Sequence, residues 1–416
     1  MGIEAQAYLR AAGLVRDQFG GSPISTFDYL TWADADSVYE INAPIRLEIQ
    51  ELRQEMLAQP LGVVARGACG SAPCDAALGA LVADAQAGYP ALRHTMNFPE
   101  EAGFSAGSVL QSSDIFSRAI VLEVLAMASR QGRLACDEML VSGVDYLLRA
   151  RRGDDGWAYF PGLLELPADC DTLAQVALTM LACDRSDLVN EVIVPQILRY
   201  EQSLSDGSFG TWMFSEDGRI GGIQRLFAQN AWGMQSDTEV LANLAHAVRC
   251  VDAERFADLL DALQGAVGRR ALFGLWESAW YHGPYYGAFV AARALRDVST
   301  YEDVVLKNAG IVAAMQHEDG GWGLEHASSD ALSTAFAMLT LAWSDAAEHA
   351  SRLDRGAAFL GACADGGLAD VPFIRMNLGR ARCQDGPYLN YGSPSITAAY
   401  AALALMTCER GAYALS

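Results

Sequence analysis

Lysine is nearly absent from this chain, and positive charge as a whole is scarce. Only Lys307 is a lysine, and the 29 basic residues stand against 51 acidic ones, giving a formal net charge of -22. A nucleic-acid-binding protein neutralises phosphates with basic patches, and no such patch is visible. The composition therefore predicts an acidic protein without a nucleic-acid partner.

Paired cysteines, a leader-like N-terminus and long apolar runs are also lacking. The nine cysteines include no CxxC pair, and the first residues carry no basic segment followed by an apolar core. The longest apolar run, 119–128, is interrupted by Glu123 and is too short to span a bilayer. We expect reduced thiols, a cytoplasmic location and no transmembrane segment; peripheral membrane contact and a homo-oligomer stay open.

Helical periodicity is what the chain has in abundance. The sequence has 416 residues, 51% of them hydrophobic, which is enough for a large core. Apolar residues recur at helical spacing almost throughout, whereas alternating runs bounded by turn residues are nearly absent. The pattern predicts an all-α protein.

A glycine turn recurs along the chain at intervals of roughly 50 residues or double that, which is typical of repeat architectures. The turns are Asp154-Asp155-Gly156-Trp157, Asp206-Gly207-Ser208-Phe209-Gly210, Asp319-Gly320-Gly321-Trp322-Gly323 and Asp365-Gly366-Gly367. Each is followed by an apolar helix rich in small residues, and most are preceded by a more charged, amphipathic one. The repeat predicts pairs of helices, one buried and one half-exposed.

These pairs predict an (α/α)6 toroid over residues 71–416, with residues 1–70 as a helical N-terminal extension. The buried helices are predicted to begin near Asp114, Asp169, Asp237, Pro284, Asp330 and Pro394, which are residues favoured at helix starts. The outer helices are predicted near 75–88, 135–151, 187–203, 254–266, 302–316 and 350–363. Parallel inner helices would bring all six N-termini to one rim.

Two carboxylates, Asp169 and Asp171, lie at the start of a buried helix just after the aromatic turn 156–160. Close carboxylates facing an apolar cavity cannot easily both ionise, so one can be kept protonated as an acid. Protonating an alkene requires such an acid. The competing interpretation is a helix cap, with Asp169 as N-cap and Asp171 near the positive end of the helix dipole.

Several segments resemble class II terpene cyclases of the squalene-hopene cyclase type. Asp169-Cys170-Asp171-Thr172 resembles their DxDD acid motif in a DxDT form, and Trp280-Tyr281-His282-Gly283-Pro284-Tyr285-Tyr286 resembles the SPYY segment of bacterial diterpene cyclases. Glu239-Val240-Leu241-Ala242-Asn243 is similar to the helix carrying the partner of the acid. With the glycine turns, these segments follow the family's order over about residues 110–410.

The resemblance implies a toroid like the terpenoid cyclase β-domain, here as a single barrel, and cyclisation of a linear isoprenoid such as farnesyl or geranylgeranyl diphosphate. It implies that Asp171 donates the proton, that Asp169 and Asn243 tune it, and that Thr172 stands in for the last carboxylate. Substrate-binding candidates are Trp157, Phe160, Trp212, Trp280, His282, Tyr285, Tyr286, Tyr388 and Tyr391. His282 is also a candidate for the base that takes the final proton.

A diphosphate would need arginines, with magnesium bound to the substrate rather than to the protein. The candidates are Arg375, Arg380 and Arg382. We expect no zinc, because no cysteine has an Asp two residues before it, as the zinc site of protein prenyltransferase β-subunits requires.

An (α/α)6 glycoside hydrolase and a non-catalytic isoprenoid-binding or partner-docking toroid remain alternatives. Many of the aromatic residues could instead wedge the repeats together.

Overall fold

The computed structural model describes residues 72–98, 109–204, 209–271, 274–276, 278–324, 328–366, 368–377 and 388–410. The predicted extension, residues 1–70, lies outside the described residues, so its boundary stays a prediction. In chain order the main helices are α1 Ala72–Gln86, α2 Ile115–Arg130, α3 Asp137–Arg149, α4 Cys170–Ala182, α5 Val194–Ser203, α6 Gly218–Phe227, α7 Thr238–Asp252, α8 Ala257–Gly268, α9 Tyr285–Leu295, α10 Glu302–Ala314, α11 Ala331–Asp345, α12 Ala350–Gly366 and α13 Pro394–Arg410.

Six of these helices form a closed inner ring. Helices α2, α4, α7, α9, α11 and α13 pack each against the next, and α13 packs against α2 to close the circle. Helices α1, α3, α5, α8, α10 and α12 surround them. The all-α toroid is therefore confirmed, and five inner helices are capped by or start beside the predicted aspartates and Pro284.

Short antiparallel strand pairs lie at the rim where the inner helices begin. They are β1 His94–Phe98 with β2 Val109–Ser113, β3 Ala168–Asp169 with β4 Trp212–Met213, and β5 Pro372–Asn377 with β6 Tyr388–Gly392. Strands β2, β3 and β6 run directly into inner helices, so the pairs fix where those helices start. Helix α6, with the π-helical turn Ala228–Trp232 after it, is an additional element between β4 and α7 that the periodicity did not predict.

Two of the predicted glycine turns, at Gly156 and Gly320, place a buried tryptophan between an outer helix and the next inner one. Gly156 and Gly320 have φ of 91° and 89°, a left-handed conformation that glycine adopts without a Cβ penalty. Three fully buried indoles each donate from Nε1 to a main-chain carbonyl of the preceding outer helix. These bonds are Trp157 to Leu147 at 2.7 Å, Trp276 to Val267 at 2.9 Å and Trp322 to Val312 at 2.7 Å.

Candidate active site

The first carboxylate, Asp169, caps α4. Its Oδ1 accepts from the main-chain N–H of Thr172 at 2.6 Å, and its Oδ2 accepts from the Thr172 hydroxyl at 3.0 Å. The capping interpretation therefore holds for this residue. Thr172 binds Asp169 and makes no hydrogen bond to Asp171 among the described contacts, so its role is to fix the cap.

The second carboxylate, Asp171, is bound from two other elements of the ring. Its Oδ1 accepts from Nδ2 of Asn243 on α7 at 2.7 Å, and its Oδ2 accepts from the Tyr281 hydroxyl, just before α9. All three side chains are buried, with Asp171 only 8% exposed. The predicted pairing of Asp171 with Asn243 is present, and Tyr281 is a further donor that sequence reasoning missed within a segment it had singled out.

The amide of Asn243 is held in one orientation. Arg293 on α9 donates from Nη2 to its Oδ1 at 3.0 Å, while its Nδ2 also donates to the Tyr286 hydroxyl at 2.9 Å. Because Arg293 can only donate, the amide must turn its NH2 group towards Asp171. Arg293 was not predicted. A single arginine among the small apolar residues of α9 nevertheless indicates a buried polar contact, since buried arginines are rarely unpaired.

Burial raises the pKa of both carboxyl groups, and that of Asp171 more than that of Asp169. It raises the pKa of Asp171 to about 8; the nearby charges of Asp169 and Glu239 act in the same direction, and the two donors oppose it. Burial also raises the pKa of Asp169, to about 6, against the hydrogen bonds from Thr172. At neutral pH Asp171 therefore keeps its proton while Asp169 is mostly ionised.

Asp171 opens onto a cavity whose wall is mostly aromatic and aliphatic. Besides Asp169, Asp171, Thr172 and Thr211, the lining consists of Phe116, Tyr159, Phe160, Leu166, Trp212, Trp232, Val240, Trp280, Tyr281, Ile374 and Met376. Strand β5 supplies the last two, and Ile374 bridges to Tyr281. The hairpin β5–β6 thereby holds Tyr281, which donates to Asp171, at the cavity wall.

Three of the predicted substrate contacts, Phe160, Trp212 and Trp280, line this cavity. The rings of Trp212 and Trp280 meet edge to face at 5.8 Å, and the Trp280 indole donates to Asp237 Oδ2 at 2.6 Å. Tyr286 lies behind the wall, where its ring stacks on Tyr281 at 3.9 Å. Trp232, Phe116 and Tyr159 are lining residues that sequence reasoning missed, because only the folded ring brings them together.

Four other predicted substrate contacts lie outside this cavity lining. The Trp157 indole packs against α3, where it donates to the Leu147 carbonyl. His282 is half-buried, and its main-chain N–H donates to the Phe373 carbonyl at 2.9 Å. Two tyrosine hydroxyls donate to main-chain carbonyls, Tyr285 to Gly323 at 2.8 Å and Tyr391 to Leu92 at 2.7 Å. The side chain of Tyr388 lies outside the described part of the chain.

The predicted diphosphate site is only partly described. Arg375 lies on β5 between two lining residues, but strand alternation turns it to the opposite face, where Nη2 donates to the Ser278 carbonyl at 2.7 Å. Arg380 and Arg382 lie outside the described residues. Within the described ranges, the cavity lining contains no basic side chain, and no three His, Cys, Asp or Glu residues are grouped to hold a metal ion.

Across the described ranges, no helix is both long and apolar enough to cross a membrane.

Known proteins that are similar to this chain include several terpene cyclases. No family model matches the chain. A drimenyl diphosphate synthase of Streptomyces showdoensis is 27% identical over 226 residues, a match covering 52% of this chain and 38% of that enzyme. An ent-copalyl diphosphate synthase of Streptomyces platensis aligns at 23% identity and a TM-score of 0.49, over 72% of this chain and 51% of its own. The chain thus spans about half or less of these two relatives.

A solved structure of similar size shows the fold. The ligand-free type II terpene cyclase MstE of Scytonema aligns with a TM-score of 0.59 at 16% identity, over 82% of this chain and 99% of its own. MstE has also been solved with geranylgeranyl dihydroxybenzoate as substrate and with merosterolic acid A as product. The chain therefore has the fold of a type II terpene cyclase.

Proposed function

We propose that this protein is a class II terpene cyclase, an isomerase that starts cyclisation of a linear isoprenoid by protonating its terminal alkene or epoxide. The observation that carries the proposal is Asp171, a carboxyl group that stays protonated at neutral pH and opens onto an aromatic cavity. A proton donor for an alkene must hold its proton until substrate arrives and must then give it up. Burial supplies the first property.

The hydrogen bonds of Asp171 supply the second property. When the proton leaves for the substrate carbon, the carboxylate left behind accepts from Tyr281 on one oxygen and from Asn243 on the other. Hydrogen bonds to a charged group contribute about 1.5 to 3 kcal/mol each, so both favour the ionised product of the step. Because they are in place before the reaction, no solvent has to reorganise.

The aromatic cavity wall then stabilises the carbocation and keeps water from it. The rings of Trp212, Trp232 and Trp280 line the same apolar cavity. A cation over such a ring gains about 0.5 to 2 kcal/mol where water is excluded. Excluding water also keeps the cation from being quenched before the rings have closed.

The similar proteins indicate two candidate classes of substrate. The sequence relative is named for a prenyl diphosphate product and MstE was solved with a prenylated dihydroxybenzoate, so either a diphosphate or an aromatic acid could form the polar end. We favour a prenyl diphosphate, because its enzyme is the relative found by sequence. We expect magnesium to be bound with the substrate diphosphate, whose oxygens are the ligands that this ion prefers.

The two alternatives are less well supported. An oligosaccharide would need many hydrogen-bonding partners, whereas most of the described lining is apolar. A non-catalytic isoprenoid-binding toroid would have no use for Asp171 with donors on both oxygens and for Arg293 orienting one of them.

The test is incubation with farnesyl diphosphate, geranylgeranyl diphosphate, geranylgeranyl dihydroxybenzoate and squalene in deuterium oxide, with and without magnesium, followed by product analysis. We expect one cyclic product that keeps its polar head group and carries one deuterium at the protonated carbon. Release of diphosphate without deuterium incorporation, or no consumption of any of the four, contradicts the proposal.

A further inference from the structure

A cyclisation that starts with a proton and ends in an alkene must also lose a proton. Given the proposed function, on which this inference rests, Asp171 supplies the first proton and some group on the cavity wall takes the last. That acceptor must touch the cavity, must have a free lone pair, and must not be hydrogen-bonded to Asp171, because the acid would otherwise neutralise it directly.

The hydroxyls of Thr172 and Thr211 and the Asp169 carboxylate meet these conditions as well, and Tyr159 is singled out by the imidazole beside its hydroxyl. Tyr159 lines the cavity, and its Oη lies 2.9 Å from Nδ1 of His94 on strand β1. His94 is buried, 7% exposed, and its ring stacks on Tyr391 at 4.3 Å with an interplanar angle of 12°. The imidazole is therefore fixed in position behind the phenol, on the side away from the substrate.

The pair is set apart from the acid by one aromatic ring. Phe116 lies between Tyr159 and Tyr281, with ring centroids 6.3 Å from the former and 6.2 Å from the latter. Since Tyr281 is hydrogen-bonded to Asp171, the acid and the pair occupy two ends of one aromatic row. A folded isoprenoid chain along this row would present its protonated end to one and its last cationic centre to the other.

We propose that Tyr159 and His94 form the terminating base of the cyclisation. The C–H bond next to the final cationic carbon breaks, and its electron pair becomes the new C=C bond. The released proton goes to the Tyr159 oxygen while the phenol's own proton passes to Nδ1 of His94. Tyr159 would be the catalytic residue, since it lines the cavity that the substrate would occupy, and His94 would position it and store the charge.

The protonation states agree with this direction of transfer. Burial lowers the pKa of His94 to about 4, so the imidazole is neutral at pH 7 and one ring nitrogen can accept. Burial, with smaller contributions from Tyr391, Asp169 and Asp114, raises the pKa of Tyr159, so the phenol keeps its proton until it is replaced. A weak base is sufficient, because the C–H next to a carbocation is an exceptionally strong acid. By contrast, His282 does not line the cavity.

The experiment compares Tyr159→Phe and His94→Gln with the wild type, using farnesyl and geranylgeranyl diphosphate. Tyr200→Phe is the matched control, because it likewise removes a buried tyrosine hydroxyl, but one that donates to the Gly210 carbonyl, at 3.0 Å, and not to an imidazole. A positioned base contributes about 10²- to 10⁴-fold, so the share of the wild-type alkene should fall about tenfold or more in both variants. Water-quenched alcohols or isomeric alkenes should replace it, with substrate consumption retained because Asp171 is intact.

A second readout is independent of turnover. In protein with ¹⁵N-labelled histidine, assigned with His94→Gln, His94 should be neutral at pH 7 with an unprotonated Nδ1, and Tyr159→Phe should shift that signal. An unchanged product ratio in both variants, or an imidazolium at pH 7, overturns the base assignment alone. Failure of the wild type to consume any substrate would instead overturn the cyclase proposal, and the imidazole signal would still test the pair.

Discussion

Replacing Asp171 by Asn should abolish turnover and, at the same time, stabilise the protein. The amide has nearly the shape of the carboxyl group, its oxygen can still accept from Asn243, and the Tyr281 hydroxyl can rotate to accept from its NH2 group. The fold and the cavity are therefore kept. What disappears is the transferable proton, and with it the free energy needed to ionise a buried carboxyl group.

The size of the stabilisation follows from the pKa of Asp171. The folded protein holds this proton up to a pKa of about 8, whereas the unfolded chain releases it near 3.8. Between these values the folded state binds more protons, so the free energy of unfolding of the wild type falls as pH rises and levels off above pH 8. At about 1.4 kcal/mol per unit, the loss is about 2 kcal/mol at pH 5 and at most about 4 kcal/mol at pH 7.

The asparagine variant avoids this loss, so its advantage should grow with pH. With an unfolding entropy of about 2.1 cal/mol/K per residue, 4 kcal/mol corresponds to a rise in Tm of about 5 °C at pH 7. The assay is thermal unfolding from pH 5 to 8.5 beside product analysis, with Asp258→Asn, an exposed change on α8, as control. Wild-type turnover, or a Tm difference that shrinks as pH rises, would refute the reasoning.

Three further changes separate the parts of the site. Tyr281→Phe removes a donor to the acid, so the pKa of that carboxyl should rise and kcat should fall about 10- to 100-fold, which a pH–rate profile measures. Arg293→Met frees the amide of Asn243 to rotate; kcat should fall more than KM changes, and an unchanged kcat would show that the arginine is purely structural. Trp157→Phe loses one buried hydrogen bond and should lower Tm by about 1 to 3 °C without altering product ratios, whereas a changed product would return this ring to the cavity.

The helical framework was predictable because its signals are local. An aspartate or proline followed by a run of small apolar residues marks the start of a buried helix, and Asp169 and Asp330 do cap their helices as such residues should. The recurring glycine turn gave the repeat. The acid was likewise visible as a pair of carboxylates at one of these starts.

The choice among neighbouring aromatics was not predictable, because distant contacts decide it. Of the segment Trp280–Tyr286, the structure turns Trp280 and Tyr281 to the cavity and Tyr285 to the Gly323 carbonyl. The chain direction there depends on Gly283 at φ 73° and on a bridge from Tyr281 to Ile374, almost a hundred residues later. Sequence spacing carries no information on such a bridge.

The two interpretations of the carboxylate pair turn out to describe different residues. Asp169 is the cap, and the ordinary capping argument accounts for it. Asp171 lies within the first turn of the same helix, whose positive end stabilises an anion by about 0.3 to 2 kcal/mol and would lower its pKa by at most about 1.5 units. Its pKa is nevertheless raised from 3.8 to about 8, so burial and the neighbouring charges outweigh both the dipole and two hydrogen bonds. A helix start that should favour a carboxylate holds a carboxylic acid, because an apolar cavity lies directly against it.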